Sequence, residues 1–334
     1  ITNTGNIELK NDSFGIFAEN TRVDNSGNIS VGKSAAKSAV GIYGNKNSEI
    51  NNTGGSITVD ENGVGFYTDN SKLNITGGTF NTANGILVYA ANESNVNYSA
   101  AGTALGNKIG FYIDNSTIDL NGKNFSVADN GAGLYITNSN SSLGKSAVKS
   151  IGTLSLGNNS IGLYLKDADL KPVTIGAVNY TLGGTIDILG ENSLGIMGVN
   201  SEINNTTNIT STQKGNKGIV SRVENLGTYG LENNNIIDLS GDSSIGIYAS
   251  AIDSSGNLKG NMNVKNFGTI NLGNAHSIND ASIGIFGTEG VNIENSGTIT
   301  GNINVVGIYS TKGHVIQNNS INLGDSSVGV YISG

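Results

Sequence analysis

The sequence predicts an all-β chain, a right-handed parallel β-helix of about 13 coils of roughly 22–30 residues, with three short strands per coil and almost no helix. Three observations predict it. One four-residue phrase (apolar, Gly, apolar, aromatic) returns along the whole chain at a mean spacing of about 26 residues, a solenoid period. A second phrase, Asn-x-Gly-x-Ile, falls between its copies. No window shows sustained 3.6-residue periodicity, so helices have no sequence support.

The first phrase opens as Phe14-Gly15-Ile16-Phe17, Val40-Gly41-Ile42-Tyr43 and Val64-Gly65-Phe66-Tyr67. It continues through Ile109-Gly110-Phe111-Tyr112, Ala132-Gly133-Leu134-Tyr135, Ile161-Gly162-Leu163-Tyr164 and Leu194-Gly195-Ile196-Met197. The last copies are Ile245-Gly246-Ile247-Tyr248, Ile283-Gly284-Ile285-Phe286, Val306-Gly307-Ile308-Tyr309 and Val328-Gly329-Val330-Tyr331, and weaker ones centre on Gly85 and Gly218. Strict alternation puts the two aliphatics on one face, stacked inside, with glycine and the aromatic pointing outward. The second phrase occurs as Asn3-Thr4-Gly5-Asn6-Ile7, Asn25-Ser26-Gly27-Asn28-Ile29, Asn266-Phe267-Gly268-Thr269-Ile270 and Asn295-Ser296-Gly297-Thr298-Ile299. Asn and Gly tolerate left-handed backbone, so it reads as a turn whose asparagines stack in hydrogen-bonded ladders. The alternating runs after it, such as Ile29-Ser30-Val31 and Ile270-Asn271-Leu272, read as half-buried strands. A third short run before it, as in Lys72-Leu73-Asn74-Ile75 and Val291-Asn292-Ile293, completes the coil.

The pattern predicts one β-helix segment over residues 1–334. It begins and ends inside the repeat, so the chain reads as a fragment of a longer, processed or truncated protein. Some coils are too long for a bare repeat: Gly162 to Gly195 is 33 residues and Gly246 to Gly284 is 38. The excess is expected to leave the coil as excursions near 167–182, 251–261 and 274–280. Insertions of this kind either drift harmlessly or gather into a binding face.

Composition excludes several classes. With 49 Gly, 52 Asn, one Pro, no Cys and no Trp, the chain is neither a disulfide scaffold nor a Cys-ligated metal protein. Apolar residues at 36 % argue against disorder. The net charge of −8 lacks the basic footprint of a nucleic-acid binder. No apolar run is long enough to span a bilayer as a helix, and no signal peptide opens the chain.

Most apparent chemistry dissolves on inspection. Gly27-Asn28-Ile29-Ser30-Val31-Gly32-Lys33-Ser34 matches the phosphate-binding loop pattern, but that motif needs a following helix, and here it overlies the repeat's own turn and strand. Gly241-Asp242-Ser243-Ser244 and Gly324-Asp325-Ser326-Ser327 resemble a serine-nucleophile loop, yet only two histidines, His276 and His314, could complete a triad. Polysaccharide lyases and hydrolases share the β-helix fold but need clustered carboxylates or held calcium, and no such spacing appears. No enzyme activity, cofactor or metal is expected. The aromatic position carries the most information. Phe17, Tyr43, Tyr67, Tyr112, Tyr135, Tyr164, Tyr248, Phe286, Tyr309 and Tyr331 share it. A row of outward rings can stack on sugars or anchor a protein, or can simply stabilise the stack. Candidate ligand-binding residues are therefore Tyr43, Tyr67, Tyr112, Tyr135, Tyr164, Tyr248, Tyr309 and Tyr331, with loop contacts from Asp167, Asp169, Lys171 and His276.

The two phrases together, in an Asn- and Gly-rich chain without cysteine, resemble the passenger domain of type V (autotransporter) outer-membrane adhesins. The Gly-Ile-Tyr version at this period is most similar to the large fusobacterial autotransporter adhesins. The resemblance covers nearly the whole chain. It implies a surface-exposed adhesin of a Gram-negative bacterium, anchored in the outer membrane or released. Its partners would be a receptor on another bacterium or a host cell, protein or glycan, and the parent chain's C-terminal β-barrel translocator. A non-binding structural stalk of such a protein is the first alternative, and a β-helix polysaccharide lyase or hydrolase the second. Absence of cysteine and coil-by-coil folding suit passage through a pore.

Overall fold

The computed structural model describes every residue except 11, 33–38, 83, 102, 107, 140–144 and 278–279. The described chain is all-β: a parallel β-helix whose strands stack coil on coil, with no α-helix among the described residues. Its contacts cluster into two compact units. The first comprises 1–155 and 173–182, the second 156–172 and 183–334.

In the first unit one sheet carries the apolar-Gly-apolar-aromatic phrase. Its parallel strands are Phe14–Glu19, Val40–Asn45, Val64–Asp69, Ile86–Ala91, Ile109–Asp114 and Ala132–Thr137, in chain order. The other faces run together in some coils, where Glu49–Val59, Lys72–Thr82 and Thr117–Val127 are single strands of 11 residues. Elsewhere the Asn-x-Gly phrase is a turn between two strands, as Asn25-Ser26-Gly27 is between Arg22–Asn25 and Asn28–Val31. In the second unit the three faces separate. One sheet runs from Ile161–Lys166 to Val328–Ser333, a second holds Ile203–Asn205, Thr228–Asn233, Asn261–Asn266, Val291–Asn295 and Val315–Gln317, and the third includes Asn208–Ser211, Ile237–Leu239 and Thr269–Leu272.

The interior is built of aliphatic ladders. Val23, Ile50, Leu73, Val96 and Ile118 lie in mutual register and are all inaccessible to solvent, as are Ile209, Ile237, Ile270 and Ile299 in the second unit. Each such side chain stabilises the fold by about 1.5–3 kcal/mol relative to exposure.

The predicted facing of the repeat phrase is corrected at its glycine. Alternation breaks there, because the register passes over the glycine: Val40 pairs with Val64, and the next pair is Ile42 with Phe66. Glycine and the second aliphatic both face inward, while the first aliphatic shares the outer face with the aromatic. Val40, Val64 and Ile86 accordingly form a cluster under Tyr43, Tyr67 and Tyr89. A Cβ on Gly41 would sit 2.6 Å from the carbonyl oxygen of Gly65 and 3.2 Å from Val31 Cγ2, so the position has no room for a side chain. The weak copy assigned to Gly85 is also displaced. Register aligns Ile86, Val88 and Tyr89 with Val64, Phe66 and Tyr67, which puts Leu87 in the glycine's place.

The asparagine ladders are present, with a different cause from the one expected. Asn3 donates to Asn25 (2.7 Å) and Asn25 to Asn52 (2.6 Å); in the second unit Asn205, Asn233, Asn266 and Asn295 form the same chain at 2.7–2.8 Å. Each of these amides except Asn3 is buried and also donates to the carbonyl two residues on, as Asn233 does to Asn235. None of these asparagines has a left-handed backbone; the residue type is set by the side-chain ladder. Left-handed asparagines occur instead after the aromatic strands, at Asn20, Asn70, Asn92 and Asn115. There they precede a second ladder not read from the sequence. The amide N–H groups of Thr21, Ser48, Ser71 and Ser94 donate to the hydroxyls of Ser48, Ser71, Ser94 and Ser116 on the next coil.

Candidate functional site

The outer aromatic position forms a stacked row because parallel strands lie about 4.8 Å apart, close to the separation at which rings stack. In the first unit the centroids of Phe17, Tyr43, Tyr67, Tyr89, Tyr112 and Tyr135 follow one another at 5.1, 4.9, 4.7, 4.3 and 4.7 Å. In the second unit Tyr248, Phe286, Tyr309 and Tyr331 continue at 5.0, 5.2 and 5.0 Å. Tyr89 is the residue the repeat reading missed. Its coil lacks the glycine, and the usable signal was its spacing, 22 residues after Tyr67 and 23 before Tyr112. Most rings are half-buried, each covering its neighbour's face. Burial, with help from Asp69, pushes the Tyr67 phenol up to about 12, and burial raises Tyr43, Tyr112 and Tyr164 as well. These hydroxyls remain neutral donors at physiological pH.

The row breaks inside the second unit. Register aligns Tyr164 with Met197, Met197 with Val220, and Val220 with Tyr248. The coil of Val220 departs from the phrase at both outer places, since it reads Lys217-Gly218-Ile219-Val220. Lysine replaces the first aliphatic and valine the aromatic. The missing ring leaves a recess of about 280 Å³ lined by Leu194, Met197, Lys217, Val220, Arg222 and Tyr248. A larger hollow of about 520 Å³ adjoins it through Arg222 and Tyr248, and also meets Glu224, Ser250, Asp253 and Lys259. Asp253 and Lys259 are paired there at 2.9 Å. Neither Lys217 nor Arg222 makes an ion pair with a described residue. Burial, and then the Arg222 charge, lower the affinity of the Lys217 ammonium for its proton. Tyr164 feels the charges of Glu224, Arg222 and Asp167.

The predicted loop residues are engaged with neighbouring coils. Asp167 accepts from the Asn200 side chain at 3.1 Å, Asp169 accepts from the Glu202 backbone N–H at 3.2 Å, and Lys171 pairs with Glu202 and, at 3.7 Å, Asp169. The rest of the 167–182 excursion is an antiparallel hairpin, Val173–Ile175 with Val178–Tyr180, whose Tyr180 is buried and accepts from Asn95 at 3.4 Å. The 251–261 excursion closes on an antiparallel bridge between Ile252 and Leu258. Asp253 organises it by accepting the Ser255 and Asn257 backbone N–H groups at 2.9 Å. His276, in the third excursion, is almost wholly exposed, and Asp242 lies 3.6 Å away; residues 278–279 of that excursion lie outside the described set. Lys33 and Ser34 of the phosphate-loop match lie outside it too. Gly241 to Ser244 form a turn with Ser243 in left-handed backbone, and Ser244 N–H donates to the Ser282 hydroxyl on the next coil.

Compared with known proteins, the chain matches no family model, no curated protein and no solved structure.

Proposed function

We propose that this chain is a segment of the surface-exposed passenger of a bacterial autotransporter adhesin, mediating cell–cell adhesion through protein or glycan binding on the solenoid surface. The observation that carries the reading is the pairing of the Gly-Ile-Tyr and Asn-x-Gly-x-Ile phrases over nearly the whole chain, which resembles such passengers. The β-helix that these phrases build supports it, as does an outer face carrying aromatic rings and one cationic recess. A repeat solenoid folds by adding coils to a formed edge, which suits emergence through a pore, and it presents a long surface for a partner.

The ring stack favours a second reading. Rings that cover one another's faces stabilise a rod and leave less free surface for a ligand, so a non-binding stalk uses the same structure. One experiment separates the two. Labelled chain is applied to partner bacteria, host cells and a glycan array, with free galactosides and free arginine as competitors. Saturable, competed attachment supports the adhesin. A chain with β-rich circular dichroism that attaches to nothing is a stalk.

A further inference from the structure

The break in the aromatic row joins two features found together at one place among the described residues: a ring face left without an aromatic neighbour, and two cations without an ion-pair partner. Tyr248 stacks on Phe286 through one face, with an interplanar angle of 4°. Its other neighbour in register is Val220, too small to cover it. Lys217 takes the outer aliphatic place on the same strand as Val220, and Arg222 lies two residues further along, again on the outer side. Both line the same recess as the Tyr248 ring and the Met197–Val220 floor.

We propose that this recess binds the carboxylate-bearing ring of an acidic saccharide, the carboxylate lying between Lys217 and Arg222 and the apolar ring face against Tyr248, Val220 and Met197. Size limits the choice. A volume of about 280 Å³ is at the small end of ligand pockets, which run from roughly 300 to 1,000 Å³; one sugar ring suits it. Charge sets the sign. Lys217 and Arg222 repel each other across a partly dry site, and an anion relieves both the repulsion and the half-buried ammonium. Arg222 can hold a carboxylate through two parallel N–H groups, which favours a planar anion over a spherical one. A saccharide also supplies what a bare acidic side chain does not, a C–H-lined ring face for the tyrosine and hydroxyls for the adjoining hollow, where the Ser250 hydroxyl can accept or donate. Glu224 stands two residues from Arg222 and opposes the anion, so it tunes the site downward.

This inference deepens the adhesin reading and rests on it, and the test keeps the two apart. The whole 334-residue chain is titrated with 3′-sialyllactose, a glucuronic-acid disaccharide, neutral lactose and a Glu-rich peptide, by calorimetry or saturation-transfer NMR. An acidic saccharide should bind saturably and weaken as salt rises, and lactose should not bind. Lys217→Gln and Arg222→Gln should each weaken binding about ten-fold, the scale of one charge-assisted hydrogen bond. Glu224→Gln should leave it unchanged or tighten it. Val220→Tyr should abolish it while raising the melting temperature, because the new ring restores the row and fills the recess; that variant answers even if the charge variants fold poorly. No binding of either acidic saccharide, equal binding of the peptide, or full binding by Val220→Tyr overturns the proposal. Attachment to whole cells is measured beside it. Attachment that survives Val220→Tyr rejects the recess as the adhesive contact and spares the adhesin; absence of attachment by the parent chain rejects the adhesin; in both cases the saccharide titration decides whether the recess binds.

Discussion

Replacing Asn233 by leucine should cost about 2–4 kcal/mol of stability, an amount that follows from the ladder geometry. Asn233 is fully buried in the middle of the second unit's run. Its side chain accepts from Asn205 at 2.8 Å, donates to Asn266 at 2.8 Å and donates to the Asn235 carbonyl at 2.9 Å. Three hydrogen bonds at about 1 kcal/mol each are lost, and the orphaned Asn266 oxygen adds about 1–3 kcal/mol. Burial of the leucine returns about 2 kcal/mol. Asn205 is not orphaned, because it still donates to the Thr207 carbonyl. A second replacement, Asn266→Leu, made on top of the first should cost less than it does alone, because the two leucines stack and the orphaned oxygen stays one in number, passing from Asn266 to Asn295. The first unit shows that an apolar run is tolerated here: Asn52 is followed in register by Ile75 and then Tyr98, all buried. The assay is urea denaturation of both single variants and the double, with amide hydrogen exchange locating the loss, since a repeat protein need not unfold in one step. A single variant within about 0.5 kcal/mol of the parent, or strictly additive losses, would refute the ladder argument.

Four further outcomes are expected. Gly195→Ala places a methyl 2.6 Å from the Gly218 carbonyl oxygen and 2.9 Å from Ile209 Cγ2; it should destabilise by about 1–3 kcal/mol, whereas Gly230→Ala, with nothing within 4 Å, should be neutral in the same melting experiment. Tyr89→Ala removes contacts at 4.7 and 4.3 Å, each worth about 0.5–1.5 kcal/mol beyond burial, and should lower the melting temperature more than Tyr331→Ala at the half-exposed end of its row. Burial raises Tyr67 and Tyr98 to about 12, above an unfolded value near 10; their contribution is complete below pH 10 and is lost as pH rises towards 12, so phenolate absorbance should lag behind free tyrosine until unfolding releases it. Lys259, together with the Asn257 and Ser255 amides, holds Asp253 far below the usual carboxylate range; Asp253→Asn should speed exchange of the Ser255 and Asn257 amides while the asparagine ladder stays protected.

Periodicity was enough to determine the architecture. Val40-Gly41-Ile42-Tyr43 and its copies specify a strand, Asn25-Ser26-Gly27 specifies a bend, and their recurrence specifies stacking, because each coil can bury its aliphatics only against another copy. The same logic foretold the asparagine ladder and the row of rings, since equal places in successive coils must meet about 4.8 Å apart. Sequence could not decide which way Gly41 faces. Alternation assumes an unbroken pleat, and the inward glycine exists because the neighbouring coil's carbonyl lies where its side chain would be, a contact between residues 24 apart. Nor could it decide that Leu87 stands in for a glycine and so adds Tyr89 to the row, because only register assigns equivalence when a phrase loses its marker. The candidate site was hidden for a related reason. Lys217 and Val220 read as a weak copy of the phrase, and only the stack turns a degraded repeat into a recess, by placing that gap beside Tyr248 and bringing Arg222 onto its rim.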